Sequence, residues 1–301
     1  MSEYGNTPTM NGHGKLWIIG IGPGAHDLIA PRALAALEEA ELVVGYQTYM
    51  TLVRKLIKGK DKIRTGMTEE IGRARAAVDA ARSGRKVAVI SSGDSGVYGM
   101  GCLVLEVLKE IGWKQGESPE VALIPGITAL NACASLVGAP LGHDACMISL
   151  SDLLTPWELI EKRIQHAAAA DFVIGFYNPA SGRRQRQIAR AREILLEHRA
   201  PETPVALVKS AYRFRQEVVH TDLNSMLDFE IGMLTTVLVG STQTYRYEGL
   251  MITPRGYRNK YDLDSSEVRP GQTPGHSLTV PLSEVQRPWL KSAGSSEPSL
   301  P

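Results

Sequence analysis

A strand that runs straight into a glycine-rich turn and out into a helix restricts this chain to few folds. Lys86-Val-Ala-Val-Ile-Ser-Ser92 is apolar at successive rather than alternate positions, the pattern of a strand covered on both faces. Gly93-Asp94-Ser95-Gly96-Val97-Tyr98-Gly99-Met100 follows at once, and a helical pattern continues to about Lys109. Such a step belongs to an open α/β sheet, in which ligands bind at strand carboxyl ends. Glycine there lets the backbone approach a ligand with no Cβ in between. Asp94 offers an acceptor to a ligand amine or hydroxyl, and Tyr98 offers a flat face with a polar tip.

The letters Gly-Asp-Ser-Gly also occur around the nucleophile of chymotrypsin-like proteases. That fold is all-β, with its histidine well upstream of the serine. Here the segment joins a strand to a helix, and the upstream histidines are His13 and His26 alone. The protease reading fails.

Strand and helix patterns alternate through most of the remaining sequence. Leu16–Ile19 reads as a short buried strand and leads into Gly20-Ile-Gly-Pro-Gly24. A helix opens at Pro31, where the missing N–H costs nothing. Glu120–Ile124 is a strand ending in Pro125-Gly126, and Cys146–Leu150, Phe172–Tyr177 and Val205–Lys209 are later strands. Thr155-Pro-Trp-Glu158 reads as a capping box opening a helix. The expected organisation is a flexible tail over 1–14, an α/β domain with a mostly parallel sheet over 15–125, and a second α/β domain with a mixed sheet over 126–257. A disordered Pro/Ser-rich tail is expected over 258–301.

Composition removes several classes. The net charge of +1 gives no polyanion-binding surface, so no nucleic-acid partner is expected. No apolar run reaches the roughly 20 residues of a membrane span. The first fourteen residues lack the apolar core of a signal peptide. Cys102, Cys133 and Cys146 form no CxxC pair, which fits reduced thiols in a cytoplasmic protein and no metal site. Gly20-x-Gly-x-x-Ala25 fits a dinucleotide fingerprint, but Gly45-Tyr46-Gln47 lacks the acid that would hold a ribose, and Pro23 removes a backbone donor.

Three loops in order, each at a strand end, carry more weight: Gly20-x-Gly-Pro-Gly24, Gly93-Asp94-x-x-x-Tyr98 and Pro125-Gly-Ile-Thr-Ala129. Together they resemble the tetrapyrrole methylases, S-adenosylmethionine enzymes with two α/β domains and an active site in the cleft between them. The resemblance covers roughly residues 14–257. Ser91–Met100, Ile148–Trp157 and Phe176–Arg183 further resemble the precorrin-3B C17-methyltransferases of cobalamin biosynthesis. That branch usually has proline where this chain has Ser95.

The resemblance implies methylation of precorrin-3B at C17 with ring contraction, or the same reaction on cobalt-factor III, with C11 or C20 methylation as same-fold alternatives. It implies that S-adenosylmethionine lies against Pro23, Gly93, Asp94, Val97, Tyr98, Thr128 and Ala129, with Tyr177, Ala211 and Thr242 added by second-half strand ends. A helix cap is the plain alternative for Thr128. Arg183, Arg184 and Arg213 are candidates for the substrate's carboxylates, and His143, Asp144, Ser151 and Asp152 for the acid or base of ring contraction. The family also implies a homodimer.

Overall fold

The structure, a computed structural model, describes residues 14–65, 69–182 and 184–280. Arg183, in the sequence a candidate for substrate carboxylates, lies outside the described residues, as do 1–13 and 281–301. The chain divides into two compact units, Met1–Ala132 with Ala211–Phe214 and Cys133–Ser210 with Arg215–Pro301.

The apolar runs of the first unit form five strands: β1 (Lys15–Gly20), β2 (Leu42–Tyr46), β3 (Asp61–Thr65), β4 (Lys86–Ser91) and β5 (Glu120–Ile124). All pair in parallel, in the order β3-β2-β4-β1-β5. A helix follows each in turn: α1 (Pro31–Glu39), α2 (Gln47–Leu52), α3 (Glu70–Arg82), α4 (Gly101–Glu110) and α5 (Ala129–Val137).

Coverage on both faces explains the unbroken apolar strands. Trp17, Ile19, Val43, Ala88 and Ile90 pack with Ala33 and Leu37 of α1 and Met50 of α2. Leu16, Ile18, Val44, Val87 and Val89 turn the other way, onto Ala74 and Val78 of α3 and Val104 and Leu108 of α4. Burying one such aliphatic side chain contributes about 1.5–3 kcal/mol. The faces also fix where a ligand can enter. β1 and β4 are neighbours, yet the chain leaves β1 for α1 on one face and β4 for α4 on the other. A crevice opens between two such strands at their carboxyl ends.

The second unit holds β6 (Gly138–Ala139), β7 (Ala145–Ser149), β8 (Val173–Tyr177), β9 (Pro204–Lys209), β10 (Glu217–Asp222) and β11 (Thr235–Val239), with α6 (Trp157–Ala169) and α7 (Arg186–Leu196). Its main sheet runs β10-β9-β11-β8-β7 and is mixed: β7 is parallel to β8, whereas β11 is antiparallel to both β8 and β9. Ile148, Leu150 and Phe176 from the sheet meet Ile160, Ile164, Ile188 and Leu195 from α6 and α7 in one core. A small sheet joins β12 (Tyr245–Tyr247), β13 (Leu250–Ile252) and β6.

Two sequence expectations need correction. The capping box at Thr155 does not form: Pro156 is the N-cap, α6 begins at Trp157, and no side chain caps it. Pro156 is extended (φ −55°, ψ 139°) and its carbonyl already accepts from Leu159 and Ile160, which leaves Thr155 outside the helix. The stretch from 258 also carries local order as far as residue 280, where composition predicts disorder. Helix α8 (Tyr257–Lys260) is followed by a Tyr261–Val268 bridge around Asp262, whose Oδ1 accepts from the Asp264 and Ser265 N–H groups at 3.0 Å each. The Ser265 and Asp264 N–H bonds hold the Asp262 carboxyl below its ordinary pKa. Such a side-chain-made turn is invisible to a composition average.

Candidate functional site

The loops leaving β1, β4 and β5 are tied to one another. Gly22 and Gly93 exchange backbone hydrogen bonds of 3.0 and 2.7 Å. The loop after β5 passes so close that a Cβ on Gly126 would stand 2.2 Å from the Gly93 carbonyl oxygen and 2.7 Å from that of Gly20. Both obstacles are backbone, so nothing can swing away, and residue 126 must be glycine. Asp94 completes the knot: one carboxylate oxygen accepts from the Gly96 N–H at 2.8 Å and the other from the Gly126 N–H at 2.9 Å. Bonds to an ionised acceptor are about twice as strong as neutral ones. Each oxygen of the residue read from sequence as a ligand acceptor takes one of these two N–H bonds, so Asp94 clamps the loop after β4 to the loop after β5.

Other predicted positions gather around this clamp. Ser95 is buried and its carbonyl accepts from Gly101 at 2.8 Å, which turns the chain into α4. Tyr98 is 55% exposed and sits at φ 52°, a left-handed conformation that costs a non-glycine residue about 1–3 kcal/mol and collects at functional sites. Val97, partly buried, precedes it. The Thr128 hydroxyl accepts from the Asn131 N–H at 3.2 Å and so caps α5, while Ala129 opens that helix. The Pro23 carbonyl accepts from Arg213 Nε at 2.7 Å, and Arg213 Nη2 donates to Ser92 Oγ at 2.7 Å. Arg213 therefore ties the first glycine loop to the end of β4.

In the second unit, strand direction sorts the candidates onto two edges. Ser151 and Asp152 follow β7 and Tyr177 ends β8; β7, β8 and β9 run the same way, so their carboxyl ends share one edge, and from the end of β9 the chain passes through Ser210 to Ala211, which is counted with the first unit. Asn178, Ser210 and Tyr212, beside them, all have φ between 51° and 56°. The turn is braced by Asn178 Nδ2 to Ser149 Oγ (3.0 Å), Arg184 Nη1 to the Leu150 carbonyl (2.9 Å) and Gln187 Nε2 to Asp152 Oδ2 (3.0 Å). Arg184 Nε stands 3.9 Å from Asp152 Oδ1, and its side chain is only 13% exposed. It is a brace within the turn, whereas the sequence reading had it reaching out to a substrate.

Thr242 lies on the opposite edge, contrary to its assignment beside Tyr177 and Ala211. Because β11 runs antiparallel to β8, its carboxyl end comes out where β8 begins, and the Thr242 N–H and hydroxyl bond Asp171 at 2.8 and 2.6 Å. His143 and Asp144 precede β7 on that same edge, where the Asp144 carbonyl accepts from Val173. At about 3.3 Å per residue, the five-residue β7 alone separates them from Ser151 and Asp152 by roughly 17 Å. The two catalytic pairs read from sequence cannot act on one atom. Arg199 underlies this edge, donating to the Gly240 and Phe172 carbonyls at 2.5 and 2.6 Å; burial pushes its pKa down while Asp171 pulls it up.

Residues 15–227, well over half of the 301, match the sequence profile of the Tetrapyrrole (Corrin/Porphyrin) Methylases. The chain belongs to this family. It is 60% identical over 261 residues to a cobalt-factor III methyltransferase of Priestia megaterium, a match covering 86% of this chain and 48% of that protein. The chain thus spans about half the length of that relative. It is 53% identical over 243 residues to a probable cobalt-factor III C(17)-methyltransferase of Salmonella typhimurium, covering 80% of this chain and 99% of the other. The crystal structure of the methyltransferase CobJ superposes with a TM-score of 0.72 at 38% identity, covering 80% of this chain and all of that one.

This methylase also carries notable groups that the sequence does not single out. Tyr46 ends β2 and Tyr49 lies in α2, their ring centroids 5.5 Å apart and edge to face. Arg73 of α3 is buried beside Met100, Nη1 to Sδ 3.8 Å. The signal lies in Gly45-Tyr46-Gln47, where the ring is as informative as the missing carboxylate. Among the described residues, no group of three His, Cys, Asp or Glu side chains is placed to hold a metal ion. No helix among them is long and apolar enough to cross a membrane.

Proposed function

We propose that this methylase transfers a methyl group from S-adenosylmethionine to C17 of cobalt-factor III, with contraction of the macrocycle, in cobalamin biosynthesis. The observation that carries the reading is the β1–β4 crevice with its three interlocked loops, in a chain 53% identical to essentially the whole of a relative named for that reaction. The relatives' names favour the cobalt-loaded substrate over metal-free precorrin-3B, which the sequence put first. Cobalt would enter as part of the substrate.

Transfer from a sulfonium to carbon is an in-line displacement, so the protein's task is to position two reactants and exclude water. The cofactor would lie against the backbone of Pro23, Gly93 and Ala129, with Val97 and the exposed ring of Tyr98 as its apolar contacts; Asp94 and the Thr128 cap would hold those loops in shape. Tyr177 and Ala211 keep their assignment to the cofactor. Asp152 is our choice of acid or base for ring contraction, because Gln187 and Arg184 fix its carboxylate on the edge shared with Tyr177. A cytoplasmic homodimer completes the proposal, on the resemblance alone. Isothermal titration with S-adenosylhomocysteine and with NAD tests the cofactor: binding of the first and not the second supports it, and the reverse refutes it.

A further inference from the structure

Four large apolar side chains stand exposed along one edge of the second unit's main sheet. Leu153 and Leu154 follow Asp152 in the turn after β7 and are 73% and 99% exposed. Met233 and Leu234, also exposed, come just before β11, which enters the sheet at this edge because it runs antiparallel to β8 and β9. The backbone around them is fixed. Arg184 Nη1 donates to the Leu150 carbonyl at 2.9 Å while its Nη2 lies 3.8 Å from Met233 Sδ, so one guanidinium bridges the two segments. Ser210, left-handed at φ 53°, donates its N–H to the Leu234 carbonyl at 2.9 Å. Strain of that kind collects at ligand sites.

One exposed leucine is ordinary on a protein surface, whereas several along one edge with polar groups around them mark a contact site. The side chains themselves select the occupant. Protein interfaces concentrate their energy in tryptophan, tyrosine and arginine, and leucine is under-represented there. This edge offers three leucines and a methionine, and branched aliphatic chains with a polarisable thioether suit a broad, flat ring system. It also adjoins Asp152, whose carboxylate Gln187 holds at 3.0 Å. The ribose and amino-acid ends of the cofactor need hydrogen-bonding partners, which these four side chains do not supply.

We propose that Leu153, Leu154, Met233 and Leu234 form a shelf on which one face of the tetrapyrrole ring lies. The shelf holds the plane of the macrocycle through apolar contact, beside Asp152. This rests on the proposed function and extends it to the residues that grip the substrate's ring face.

The test is Leu153→Ser with Leu154→Ser in the full chain, which removes apolar surface and adds no charge. Side chains this exposed contribute little to the fold, and a matching thermal transition checks it. Loss of both contacts should raise KM for cobalt-factor III about tenfold and leave the Kd for S-adenosylmethionine unchanged, whereas Leu154→Met, which keeps the apolar bulk, should stay within about twofold. An unchanged KM in the double variant, or an equal loss of cofactor affinity, overturns the shelf. Fluorescence-quenching titration with uroporphyrin III, a stable macrocycle, judges it without turnover: the double variant should bind several-fold more weakly than the unsubstituted chain, and equal binding refutes it. A changed association state in sedimentation with unchanged porphyrin affinity also refutes it, since a second copy would then be the occupant. If the unsubstituted chain fails to methylate cobalt-factor III, the functional reading falls, and the porphyrin titration still decides the shelf.

Discussion

Replacing Asp94 by asparagine probes the knot on which the whole site depends. The carboxylate accepts from two N–H groups at 2.8 and 2.9 Å, belonging to Gly96 in its own loop and Gly126 in the loop after β5. Asparagine keeps one acceptor oxygen and turns an NH2 group toward the other N–H, so one charge-assisted bond is lost and two donors face each other. A hydrogen bond to a charged group is worth about 1.5–3 kcal/mol, and about 2 kcal/mol corresponds to roughly thirtyfold in affinity. D94N should therefore bind S-adenosylmethionine roughly thirtyfold more weakly by calorimetry, with Tm lower by about 4–8 °C. Asp94→Ala should bind no better, since it leaves both N–H groups unanswered. Binding by D94N equal to that of the unsubstituted chain, at an unchanged Tm, would refute the clamp, because Asp94 would then hold nothing. A lost affinity at unchanged Tm would return Asp94 to the role of a direct ligand.

Three further outcomes follow from particular contacts. Gly126→Ala places a Cβ 2.2 Å from a backbone oxygen and should abolish cofactor binding, whereas Gly72→Ala, exposed within α3 with nothing within 4 Å, should raise stability by about 0.5–1 kcal/mol in denaturant titration. His143→Gln should leave kcat/KM within about twofold, and Asp152→Asn should lower kcat by about a hundredfold or more, because Asp152, and not His143, shares an edge with Tyr177. The Glu39 carboxyl is held below its ordinary pKa by hydrogen bonds from Lys15 and then Lys86. Its folded pKa is depressed, so its small stabilisation is present above the unfolded value near 4.5 and is lost as pH falls through the folded value. Glu39→Gln should narrow the difference from the unsubstituted chain in urea midpoints measured at pH 3 against pH 7.

The sequence carries the first unit well because its signals are local. A doubly covered strand is an apolar run, and glycine marks a loop pressed against backbone, as at Gly20 and Gly126, or turned to positive φ, as at Gly93, so the crevice shows in the sequence itself. What stays hidden depends on partners distant in sequence. Nothing in Thr235–Val239 says that this strand runs antiparallel to β8, and that direction alone moves Thr242 to the far edge. The fate of a polar side chain is equally non-local: Asp94 turns to a residue 32 positions away, Arg213 to one 190 positions away, and Arg184 folds back into its own turn. In each case the side chain meets a backbone group that its local sequence does not announce, because a buried or half-buried N–H or carbonyl left without a partner is costly.

One incubation decides whether the methyl group goes to C17. The chain is mixed with cobalt-factor III and S-adenosylmethionine carrying a 13C methyl group, and the product is read by mass spectrometry and carbon NMR. The expected product is heavier by one labelled methyl, with the label on C17 of a contracted ring. A label on another ring carbon, or no methylated product from either cobalt-factor III or precorrin-3B while the cofactor binds, would contradict it.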